Sequence, residues 1–201
     1  MSLANSNRGD HDVHQSLIHR VLFGIAMSLA AAAARAAPHM IDIGTPAPTF
    51  DLPVFNDAHR HIALDSLRGK VVLLDFWASW CGPCRQSFPL YEALRKEMPA
   101  QDFTLLAINL DDMIDGPKAF LEEHPVGYTS VADPDGDVAK QFGLIGMPSS
   151  FVLDREGIVR ARHAGFKPKD IDEVRKEILD LISAKPATPA TSERSVSDAS
   201  R

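Results

Sequence analysis

Residues 71–84 read VVLLDFWASWCGPC. The first seven, Val71 to Trp77, form an apolar run rich in β-branched residues, bounded upstream by Arg68-Gly69-Lys70. Such a run predicts a buried central strand. From Pro83 to Met98, apolar residues fall at Phe88, Leu90, Tyr91, Leu94 and Met98, near helical spacing. A strand that passes directly into a helix is the repeating unit of an α/β domain. Both cysteines of the chain lie at that junction.

The pattern continues downstream. Phe103 to Asn109 predicts a second buried strand and Gly116 to His124 a short helix, with Pro117 in its first turn. Thr129 to Ala132 predicts a strand. Asp137 to Phe142 predicts a helical turn or two, stopped by Gly143. Ser149 to Leu153 and Gly157 to His163 predict a hairpin around Asp154-Arg155-Glu156-Gly157. Lys169 to Ile182 predicts an amphipathic helix, with Asp170, Asp172 and Glu173 at its anion-favouring start. Short strands are expected between Ile43 and Leu67. This order predicts a mainly parallel central sheet with helices on both faces, the hairpin adding antiparallel strands at one side. The folded unit spans 42–183.

Composition bounds the rest. The chain has 201 residues, 45% of them hydrophobic, and a net charge of −6, which argues against nucleic acid as a partner. Val21 to Ala34 is uncharged. It is too short for a membrane span of about 20 residues and suits a signal-peptide core, with Ala34-Arg35-Ala36 as a cleavage pattern. Residues 1–36 are therefore read as an export signal, with an uncleaved anchor or an Ala-rich amphipathic helix as the alternatives. Residues 184–201 are low in apolar content and read as a disordered tail.

Two cysteines cannot build a disulfide scaffold or a four-ligand zinc site by themselves. At positions i and i+3 of a first helical turn they can form a disulfide. Cys81 would face unpaired backbone N–H groups and the positive end of the helix dipole, which favour its thiolate. Pro83 lacks an N–H where none is needed. The pattern fits dithiol–disulfide exchange: Cys81 attacks and Cys84 resolves. Asp75 is the one charge in its strand. Buried and unpaired, it would have a raised pKa and could take the proton of Cys84. A fragment of a zinc site, a Cu(I) site and a permanent structural disulfide are the alternatives for the pair.

Residues 71–89, VVLLDFWASWCGPCRQSFP, resemble the active-site strand and helix of the thioredoxin superfamily. Gly146-Met147-Pro148-Ser149-Ser150-Phe151 resembles that family's cis-proline segment. The resemblance implies a cis Pro148 beside the disulfide and a Met147 backbone that pairs with extended substrate. Gly44 to Leu52, Leu67 to Val72 and the extra segment from about Asp111 to Tyr128 are similar to exported thiol–disulfide oxidoreductases of the TlpA/ResA type. The implied architecture is a thioredoxin fold, a central mixed sheet flanked by helices, with an added N-terminal strand region and a mid-chain αβ insertion. Ala107 stands where thioredoxin places a lysine beside the aspartate. The peroxiredoxin P-x-x-x-T-x-x-C pattern is missing. The resemblance implies a disulfide reductase with Cys81, Cys84, Asp75 and Pro148 in the reaction. Trp80, Gly82, Pro83 and Met147 would meet the substrate, with Trp80 packed on the motif to limit water or, as the alternative, a plain surface residue. The expectation includes no cofactor and no metal, disulfide-bearing protein clients, a membrane thiol–disulfide electron donor, a periplasmic location and a monomer. A Cu(I) or apocytochrome c assembly factor and a net oxidant are the alternatives.

Overall fold

A computed structural model describes residues 39–184. The expected export signal at 1–36 and the tail beyond Ala184 lie outside the described residues. Strands β1 (Asp51–Val54) and β2 (Asp57–Ala63) form a first hairpin. Strand β3 (Val71–Trp77) runs into helix α1 (Gly82–Glu97), and β4 (Phe103–Asn109) precedes α2 (Asp115–Glu123). Strand β5 (Thr129–Ala132) precedes α3 (Asp137–Phe142). A second hairpin, β6 (Ser149–Leu153) and β7 (Val159–Ala164), leads to α4 (Ile171–Ser183).

The strands lie in the order β2-β1-β5-β4-β3-β6-β7, with β3 inside the sheet. The sheet is mixed, with the N-terminal strands and the mid-chain α2–β5 unit in place. It is not mainly parallel. Only β3–β4 and β4–β5 are parallel, whereas β1–β2, β1–β5, β3–β6 and β6–β7 are antiparallel. The first hairpin docks on β5, so antiparallel pairs flank the parallel centre on both sides. Apolar runs identify strands but do not specify the direction of a partner.

Strand β3 is buried along its whole length because both faces are covered. Val71, Leu73 and Trp77 face one core, with Phe88, Tyr91 and Leu94 of α1 and Val174 and Ile178 of α4. Val72, Leu74 and Phe76 face the other, with Phe142 of α3 and Phe151 of β6. Period-2 alternation places Asp75 on the first face. Trp77, Phe88 and Phe120 stack against one another there at 4.8–4.9 Å between ring centroids. This cluster anchors α1 and α2 over the sheet.

Packing begins two residues ahead of Asp42. Met40 is buried, and the Ile41 N–H donates to the Phe142 carbonyl at 3.1 Å. Gly143 ends α3 with φ 68°, and a Cβ there would collide with the His39 carbonyl oxygen. Only glycine meets both demands.

Glu92 of α1 fixes the approach to β5. It accepts from Arg95 Nε at 2.9 Å and from the Gly127 N–H at 3.0 Å. The Arg95 hydrogen bond is the main reason its pKa falls to about 2 from an ordinary 4.5. A depressed carboxylate supplies stability that is complete above the unfolded value and is lost as pH falls through the folded one. Urea midpoints of the wild type and Glu92→Gln should therefore differ at neutral pH and draw together between 4.5 and about 2. A gap that is constant with pH would contradict this.

Candidate active site

Strand β3 delivers the chain to a turn at Ser79-Trp80, and α1 starts at Gly82. Cys81 is the N-cap of α1, with extended backbone. Its Sγ accepts the Cys84 N–H at 3.3 Å, one of the donors that a helix start leaves free. Cys81 and Cys84 are disulfide-bonded, their Cα atoms 5.3 Å apart. Cys84 is fully buried, Cys81 keeps 4% exposure, and Gly82 and Pro83 are exposed. In the dithiol state the same N–H groups and helix dipole favour charge on Cys81 over Cys84.

Trp80 lies mostly at the surface, 71% exposed, in keeping with the surface-residue alternative and not with a ring packed over the motif. The turn carries its ring outward, and Trp77 fills the aromatic place in the core, donating Nε1–H to Ser130 Oγ at 3.1 Å.

The Met147–Pro148 peptide is cis. Pro148 is buried immediately before Ser149, which pairs with Phe76 of β3. Met147 is half-buried against the core that contains both cysteines. The sheet thus brings residues 147–148 to the end of β3 from which the redox turn leaves.

Asp75 is fully buried, and neither carboxylate oxygen has a hydrogen-bond partner among the described residues. Desolvation pushes its pKa well above the ordinary value. Its partner in the β4 register is Ala107, as the sequence indicated, so no ammonium stands beside it there. Its partner in β6 is Ser150, whose own partner in β7 is His163. Tyr91 of α1 donates to Ser150 Oγ at 3.3 Å. His163 Nε2 lies 2.8 Å from Glu177 Oε2 of α4, which raises the histidine pKa.

A second polar group steadies the redox turn. Asp111 accepts the Ser79 N–H at 2.8 Å and the Ser79 hydroxyl at 2.5 Å, and also accepts from Asn109 Nδ2 at 2.7 Å. The mid-chain insertion is thereby tied to the residue two before Cys81. Sequence reading did not single out Ser79, Asn109, Asp111, Tyr91, Ser150, His163 or Glu177. One signal was available: Asn109 and Asp111 are polar residues where an apolar strand ends, beside the redox motif in a parallel pair.

Among the described residues no three His, Cys, Asp or Glu side chains gather into a metal-binding group. A groove of about 440 Å³ lies between Val54–Arg60 and residues 125–130 and includes neither cysteine. Cavity size is a poor guide here, since a protein disulfide needs an accessible sulfur and not an enclosed pocket.

The AhpC/TSA family model matches residues 43–162, more than half of the chain. The chain belongs to this family. Among its relatives, the thiol:disulfide interchange protein DsbE of Allochromatium vinosum is 32% identical over 142 residues, 70% of this chain and 76% of that one. The thiol-disulfide oxidoreductase ResA of Bacillus thuringiensis is 29% identical over 140 residues, 69% of this chain and 79% of that one. A crystal structure assigned as a DsbE from Chlorobium tepidum has a TM-score of 0.67 and 40% identity, covering 71% of this chain and 99% of its own. The protein is a thioredoxin-fold thiol-disulfide oxidoreductase.

A buried carboxyl with a raised pKa weakens the fold as pH rises. Above the ordinary value of 3.8 the unfolded chain releases the proton of Asp75 while the folded chain keeps it. Asp75→Asn should therefore raise the urea midpoint at neutral pH, with a gain that disappears below about pH 4. An equal midpoint at both pH values would show that the carboxyl is not strained by burial.

Proposed function

We propose that this protein is an exported reductase of protein disulfides, working through the Cys81–Cys84 pair. The observation that carries the reading is the pairing of an N-cap cysteine with a buried resolving cysteine, in the core layer that also holds an unpartnered Asp75.

The chemistry runs in two exchanges. Cys81 as thiolate attacks a client disulfide, forming a Cys81–client bond and releasing one client thiolate. Cys84 then loses its proton to ionised Asp75 and attacks Cys81 Sγ. The Cys81–Cys84 disulfide forms, and the second client thiolate leaves. Two electrons pass to the client, whose thiolates take protons from water. Burial of Cys84 makes a local base necessary, because a thiol in apolar surroundings resists ionisation. Met147, beside the cis Pro148, offers backbone groups to an extended client segment. Trp80, Gly82 and Pro83 form the exposed rim around Cys81 that such a segment would touch.

No cofactor is required, since the reducing equivalents reside in the dithiol. The uncharged run at Val21–Ala34 supports export to the periplasm, cleaved or anchored. Among the described residues no helix is long and apolar enough to cross a membrane. In an oxidising compartment the dithiol must be regenerated by a membrane thiol–disulfide donor. The working unit is a monomer.

Cys81→Ser should abolish insulin reduction, and Cys84→Ser should accumulate client mixed disulfides on non-reducing gels. The equilibrium potential of the couple against glutathione sets the direction: near about −270 mV it acts as a reductant, near about −120 mV as an oxidant. Full activity of Cys81→Ser would sink the assignment.

A further inference from the structure

The base proposed for Cys84 sits where water cannot reach it. A buried carboxyl that takes a proton in each cycle must also release one, and its partner in β4 is Ala107, which cannot carry a proton. The register shows where polar groups lie instead. Asp75, Ser150 and His163 are consecutive partners across β3, β6 and β7, all on the face beneath α1 and α4. Ser150 therefore stands one strand spacing, about 5 Å, from each of the other two. It is buried, while the His163 and Glu177 side chains keep 19% and 29% exposure. The row thus runs from the base beneath the helices to solvent at the β7–α4 edge.

We infer that Ser150, His163 and Glu177 form the route by which Asp75 returns its proton to solvent. This inference rests on the reading of Asp75 as the base for Cys84. In the structure Ser150 Oγ accepts from Tyr91 and is hydrogen-bonded to neither Asp75 nor His163; placed between them in the register, its side chain acts as the link by turning from one to the other, with its own hydroxyl hydrogen to give onward. The proton balance is closed. Cys84 gives its proton to ionised Asp75. The neutral carboxyl passes a proton to Ser150 Oγ as the Ser150 hydroxyl proton moves to neutral His163. Asp75 is again ionised, and His163 becomes an imidazolium held by Glu177, which then loses the proton to water. No electron moves in this limb.

The charge arrangement suits that direction. The groups facing His163 are Glu177 and Glu173 of α4 and Asp170 at the start of that helix, all anionic. They favour the imidazolium, and so draw a proton outward. Those that sense Asp75 are Tyr91 of α1 and Tyr128 from the approach to β5, with Cys84 in the same core layer, and none of the three carries positive charge. Tyr91 holds its proton because burial pushes its pKa well above the ordinary range, so it orients Ser150 and does not compete as an acid.

Ellman's reagent separates the steps, because reduced protein releases one thionitrobenzoate on attack by Cys81 and a second on resolution by Cys84. Because burial holds Asp75 toward its neutral form, the carboxyl must empty by this route before it can take the Cys84 proton, so in dilute buffer His163→Gln and Ser150→Ala should leave the first phase unchanged and slow the second about tenfold. Added imidazole should restore the second phase in His163→Gln, a rescue that a merely structural role would not give. Glu177→Gln should shift the pH profile of the second phase to lower pH, since the histidine then loses its proton more readily. Asp75→Asn is the reference. If it slows the second phase while His163→Gln and Ser150→Ala do not, the route is wrong and the base reading stands. If Asp75→Asn leaves the second phase unchanged, the base reading fails and the route fails with it. Urea midpoints of the variants, measured alongside, identify any slowing due to loss of fold, and slowing without imidazole rescue overturns the route.

Discussion

A disulfide between residues three apart is useful only if both sulfurs are held at one helical turn while the bond is open as well as when it is closed. Here the start of α1 provides that hold. Cys81 is its N-cap, Cys84 its first buried residue, and the Cys81 sulfur accepts a helix N–H. The helix cannot drift, because Phe88, Tyr91 and Leu94 are sunk into the sheet against Trp77 and Phe120. Ser79, just before the motif, is held by Asp111 through backbone and hydroxyl. The redox turn is thus fixed from both sides, by apolar burial after it and by a carboxylate before it.

The same burial creates the electrostatic problem that the site must solve. A helix packed tightly enough to fix Cys84 also removes water from Asp75. In water a carboxylate is solvated without cost; beneath α1 it has no hydrogen-bond partner among the described residues and is held toward its neutral form. That makes it a stronger base whenever it is ionised. The fold therefore carries a destabilising group at its centre. Such local conflicts between burial and charge concentrate at functional sites.

Much of the architecture was legible because it depends on local pattern. Val71–Trp77, Phe103–Asn109 and Thr129–Ala132 are strands with the predicted limits, since short apolar runs between turn residues have few other ways to satisfy their backbone. Gly143 ends α3 for the expected reason, a left-handed φ. Direction was less legible. The first hairpin joins β5 antiparallel, a choice made by contacts between segments about 75 residues apart, as between Val54 and Val131. Trp80 illustrates the same limit at one residue. Its place beside Cys81 suggested a shield, but only the turn geometry decides that the ring points to solvent.

Sequence alone determined that this chain has a C-x-x-C pair at a strand-to-helix junction, a lone carboxylate in the preceding strand and a Met-Pro segment further on. Those are properties of neighbours along the chain, where spacing and composition suffice. Tertiary structure decided what faces what. It set Asp75 opposite Ala107 on one side and Ser150 on the other, brought His163 and Glu177 into the same row, and joined Asp111 to Ser79. A one-residue slip in strand register would turn Ser150 or His163 to the opposite face. Register is fixed by the summed burial of both cores, a long-range quantity that no single stretch of sequence contains.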